Sequence, residues 1–81
     1  MPPRSDPQIG LGRAIRKLRT DASLSQETLG NDAELHPTWI SHIESGRVSP
    51  TWGNVRRIAR GLGVSLPELA ALAEELEPPP K

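Results

Sequence analysis

Thr38, Ser41, His42 and Ser45 recur at spacings of three and four, which places them on one face of an α-helix. Each offers a hydrogen-bond donor, an acceptor or both, and none carries a fixed charge, whereas a merely solvated face more often carries Glu and Lys. Thr38 adds a methyl group, and His42 can donate, or accept when neutral. The base edges in the major groove of DNA match that chemistry: guanine offers N7 and O6, and thymine offers a methyl. Metal binding is not expected. His36 and His42 stand six residues apart, face different ways, and have no Cys to join them. Catalysis also lacks its parts, because there is no Cys nucleophile, no glycine-rich phosphate loop and no evident carboxylate to orient either histidine. With 81 residues there is also too little chain to enclose a pocket of roughly several hundred Å3. No enzyme activity, no cofactor and no small-molecule ligand are expected.

Helices must position such a face, and periodicity with punctuation predicts five of them. The first is expected from about Pro7 to Thr20, with Asp6 as N-cap, Pro7 in the first helical position and Leu11, Ile15, Leu18 and Ala22 as its apolar stripe. Gly10 and Gly12 weaken its start by up to ~1 kcal/mol each. The second spans Gln26 to Ala33 behind the N-cap Ser25, with Leu29 and Ala33 facing inward. The third opens on Pro37 and ends at Ser45, where Gly46 can take a left-handed conformation; Ile40 and Ile43 point inward, opposite the polar face. A fourth, from about Thr51 to Leu62, buries Val55, Ile58, Ala59 and Leu62. The fifth starts at the capping box Ser65-Leu66-Pro67-Glu68 and carries Leu69, Leu72, Ala73 and Leu76. No alternating stretch predicts a strand. Only Glu34-Leu35-His36 separates the second and third helices, and a turn that tight makes them cross steeply, leaving the third as a ridge.

Several sequence blocks in register carry a resemblance. Leu24-Ser25-Gln26-Glu27, Leu29, Trp39 through Arg47, Pro50 and Ile58 through Ser65 resemble the phage-repressor and Cro-like (XRE) helix-turn-helix family, over about Leu11 to Leu72. That family includes the controller proteins of restriction-modification systems and many small bacterial regulators. The resemblance implies an all-α, five-helix bundle and sequence-specific binding of double-stranded DNA in transcriptional control. It implies phosphate contacts from Ser25, Gln26, Trp39 and Arg47, and base contacts from His36, Pro37, Thr38, Ser41 and His42. It also implies an ion pair between Arg19 and Glu44, joining the first helix to the recognition helix. Relatives commonly dimerise through the last helix, so Leu72 and Leu76 are expected at a homodimer interface, on a palindromic operator with half-sites about one helical turn apart. The chain departs from the family at Glu34, where the turn usually carries Gly, and at Gly30, where Ala is usual. Both changes are expected to lower stability.

Plainer readings compete at several positions. Trp39 lies about 40° from Ile43 around its helix and is read first as core packing, with a boundary indole able to serve both roles. Packing is also expected of Trp52, a solvated face of Arg56 and Arg60, and solubilisation of the tail by Glu74, Glu75 and Glu77. Leu72 and Leu76 can alternatively close the core of the monomer.

Ten basic and ten acidic side chains cancel, but residues 1–60 hold nine Lys or Arg against six Asp or Glu, and residues 61–81 hold one against four. Screening makes the local sign decide, so the basic front can meet a polyanion. The absence of Cys fits a reducing compartment, and no apolar run reaches the roughly 20 residues of a membrane helix; a cytoplasmic protein with no membrane partner is expected. Residues 1–7 are expected to be a flexible segment, 8–77 one domain, and 78–81 a flexible proline-rich tail. The acidic, proline-ended tail motivates one alternative, an antitoxin or adaptor whose last helix docks another protein.

Overall fold

Side-chain caps set where the helices begin in the computed structural model, which describes residues 8–79. Ser25, Thr51 and Ser65 each accept a hydrogen bond from the backbone N–H three residues on, at Thr28, Asn54 and Glu68. Ser65 and Glu68 complete a reciprocal capping box. The described residues hold five helices, α1 Ile9–Asp21, α2 Gln26–Ala33, α3 Pro37–Glu44, α4 Trp52–Leu62 and α5 Leu66–Leu76, and no strand. Gly46 and Gly63 follow α3 and α4 in left-handed conformations, which lets the chain leave each helix without a Cβ clash.

The core draws on all five helices: Ala14 and Ile15 from α1, Leu29 and Ala33 from α2, Ile40 and Ile43 from α3, Ile58 and Ala59 from α4, and Leu69 from α5. α1 docks chiefly on α5 and α2 chiefly on α4, so α3 is held from two sides, by α2 and α1. Val55, Leu62, Leu72, Ala73 and Leu76 are half-buried against this core.

Four expectations need correction. α1 has Gln8 in the N-cap position, without a side-chain cap, and starts at Ile9; Asp6 and Pro7 lie outside the described residues. Ala22 follows the end of the helix and is exposed, while Ala14 takes its place on the buried stripe between Leu11 and Leu18. Glu77 is more than a solubilising tail charge. Its Oε2 accepts from the Gly10 N–H at 2.7 Å, so a carboxylate from the far end of the chain meets an otherwise unpaired amide in the first turn of α1. Gly10, Gly12 and Gly30 are sites of close approach and not merely weak points. A Cβ on Gly10 would strike the Ala73 carbonyl, one on Gly12 would lie 2.5 Å from the Ile43 carbonyl, and one on Gly30 would lie 2.6 Å from the Leu35 carbonyl. Their missing side chains let α1 reach α5 and α3, and let the chain fold back after α2.

Candidate nucleic-acid interface

The turn between α2 and α3 consists of Glu34, Leu35 and His36. Glu34 has φ 59° and ψ 38°, the left-handed conformation that normally favours glycine, and the N–H groups of Glu34 and Leu35 close the end of α2 by donating to Asn31 and Gly30. Pro37 then opens α3, supplying a preset φ and no N–H where the helix needs none. The orphan amide at Thr38 donates to His36 Nδ1 at 3.1 Å. His36 is thus the N-cap of α3, a role its sequence position did not suggest because the preferred capping residues are Ser, Thr, Asp and Asn.

On the outward side of α3, Thr38 and Ser45 are exposed and Ser41 and His42 half-buried, and Arg47 stands exposed just beyond the helix. Ser45 Oγ donates to the His42 carbonyl at 2.8 Å, so its hydroxyl is engaged within the helix. Trp39 is 40% exposed, which corrects the expectation of core packing: Ile40 and Ile43 already fill the inward stripe. Its indole instead meets the His42 ring edge to face, with centroids 6.2 Å apart. Trp52 is exposed as well, at 66%, because α4 buries its core contacts a turn and more later, at Ile58 and Ala59.

Behind the flank, Arg19 of α1 grips Glu44 with two hydrogen bonds, Nε to Oε2 at 2.6 Å and Nη2 to Oε1 at 3.0 Å. Arg19 Nη1 also donates to the Leu24 carbonyl at 2.8 Å, tying in the chain that leads to α2. Gln26 joins the same carboxylate through Nε2 to Oε1 at 3.2 Å. Both ion-pair partners are largely removed from solvent. Hydrogen bonding to Glu44 raises the Arg19 pKa above its ordinary value, with burial opposing and the charge of Glu44 adding to the effect. Ser25 faces out beside Gln26, its hydroxyl both accepting from Thr28 N–H and donating to Thr28 Oγ1. The structure therefore gathers Gln26, Arg19 and Glu44 at one junction, with Ser25 next to Gln26 in the chain, and sets Pro37, Thr38, Ser41 and His42 on one short helix with His36 and Arg47 just outside its two ends. Leu72 and Leu76 lie elsewhere, half-buried against the monomer's own core. Among the described residues no group of three His, Cys, Asp or Glu is placed to hold a metal ion.

Two short helices joined by three residues, the second braced from behind and offering a hydrogen-bonding flank, define a helix-turn-helix module. The helix-turn-helix domain model matches residues 10–72, and the chain belongs to that family. The chain is 36% identical over 66 residues to control protein C.MunI of a Mycoplasma species, covering 80% of this chain and 89% of that protein. Among solved structures it resembles the restriction-modification controller protein C.AhdI from Aeromonas hydrophila, with a TM-score of 0.75 and 31% identity over 76% of this chain and 94% of that one. It also resembles the protein of the nucleoprotein complex C.Esp1396I, with a TM-score of 0.79 and 26% identity over 89% and 94% of the two chains.

Proposed function

We propose that this chain binds double-stranded DNA with α3 in the major groove, as a homodimer on a palindromic operator. It is a DNA-binding transcriptional regulator of the helix-turn-helix type. In the proposed complex His36, Pro37, Thr38, Ser41 and His42 read base edges, and Ser25, Gln26, Trp39 and Arg47 hold the phosphates. The carrying observation is the outward flank of α3, rich in hydrogen-bonding groups and ended by the exposed Arg47, on a helix whose other side is locked into the core. Arg19 and Glu44 support it by fixing α3 to α1 and by holding the Gln26 amide at the edge of that flank.

For pairing, Leu72 and Leu76 have only part of their surface left to offer. The more open apolar surface is the exposed Trp52, beside a groove of about 320 Å3 lined by Leu11, Val55, Leu66 and Ala73 among others. We place the second copy against the head of α4 and the start of α5, with Leu72 and Leu76 contributing at most a margin. The same reading puts the protein in the cytoplasm with its DNA; no helix among the described residues is long and apolar enough to cross a membrane.

Titration of labelled operator DNA at two salt concentrations tests the interface. Gln26→Ala and Arg47→Ala are each expected to bind more weakly while keeping parental helicity, and Arg47→Ala is expected to flatten the salt dependence by about one phosphate contact. Parental binding by both variants would overturn the assignment. The antitoxin or adaptor alternative has less behind it, since nearly all of the bundle, residues 10–72, matches a helix-turn-helix model.

A further inference from the structure

Because Pro37 has no N–H, the amide of Thr38 is the first in α3 that needs a partner, and it donates to His36 Nδ1 at 3.1 Å. A backbone N–H can only donate, so Nδ1 must be the bare, accepting nitrogen of the ring. The single ring proton then sits on Nε2, on the side of the ring away from the cap, and His36 is exposed. We infer that His36 is a specificity-determining residue of fixed polarity: in its capped form it presents only a donor to DNA and selects a base acceptor, guanine N7 or O6 above all. Cytosine N4 is an amino donor and would meet the Nε2–H donor to donor; adenine sets the N6 donor beside its one acceptor, N7, and thymine sets a methyl beside its one acceptor, O4, whereas guanine offers two acceptors on the same edge with no donor between them. His42 carries no comparable constraint. Its backbone carbonyl accepts from Ser45, and its ring leans on the Trp39 indole. The two histidines therefore differ in what they can read, although the same residue type stands at both positions.

The inference rests on the DNA-binding reading above, and two measurements separate its failure from the failure of that reading. Long-range proton–nitrogen correlation on the free protein is expected to show His36 protonated at Nε2 and bare at Nδ1; a proton on Nδ1 would overturn the inference. Binding sites are then selected from a random DNA pool by the parent and by His36→Ser, whose hydroxyl still caps α3 but is too short to replace the imidazole. One guanine position in each half-site is expected in the parent's selection and not in the variant's. At that position 7-deazaguanine, which lacks N7, or 6-thioguanine, whose sulfur is a poor acceptor in place of O6, is expected to weaken the parent about tenfold, the worth of one hydrogen bond, and to leave the variant unchanged. Identical preferences for the two proteins, or a parent indifferent to both analogues at every guanine of its site, would overturn the role of His36 while DNA binding stands. A parent that selects no sequence at all would overturn the DNA-binding reading itself.

Discussion

Arg19, Glu44 and Gln26 form a junction in which one carboxylate accepts from two side chains of two other helices. Such a buried pair contributes little net stability, since desolvation offsets attraction, but removing one member strands the other. Arg19→Ala is therefore expected to cost ~3–5 kcal/mol in chemical denaturation, far more than an exposed pair such as Lys17 and Asp21 would. A loss below ~1 kcal/mol would mean that Glu44 finds another partner. The raised pKa of Arg19 fixes the pH sense of this contribution. It is fully present below the unfolded-state value and is lost only as pH rises through the higher folded-state value, so acidification does not weaken the Arg19 side of the pair.

The turn and the helix packing were legible to different degrees, for a physical reason. Caps at Ser25 and Ser65 and the stop after Ser45 depend on residues within one turn of the chain, and the order of residues carries that information. The bond from Gly10 to Glu77 spans 67 residues, and the demand for glycine at 10 and 12 exists only once α5 and α3 are in place. Glycine read locally looks like a weakness; read in the bundle it is the condition for contact. Gly12→Ala is accordingly expected to destabilise the fold, whereas helix propensity alone expects a gain of up to ~1 kcal/mol, and a thermal melt distinguishes the two signs. Glu34 tests the opposite case, because its left-handed backbone costs more than a glycine there would. Glu34→Gly is expected to raise stability by about 0.5–1 kcal/mol, the relief of strain less the entropy of a freer unfolded chain. The exposure of Trp39 and Trp52 was not legible either, since an indole at a helix boundary is decided by which neighbours fill the core first.

Across the molecule, α1 and α5 form one pair and α2 and α4 another, and α3 is carried between α1 and α2 with its flank free. Acidic residues gather toward the chain end and basic ones ahead of it, so a net charge of zero does not prevent a polyanion from meeting the front. Pairing through the α4 and α5 face would be read by sedimentation velocity, where Trp52→Ser is expected to weaken the dimer and Leu72→Ser to act mainly on stability; the reverse ranking would move the interface to Leu72 and Leu76. The most direct test of the whole account is chemical-shift mapping during titration with operator DNA. Amides of His36, Thr38, Ser41, His42 and Arg47 are expected to shift most, with Gln26 beside them and the tail of α5 quiet. Shifts confined to α4 and α5, with the α3 flank unmoved at saturating DNA, would contradict it.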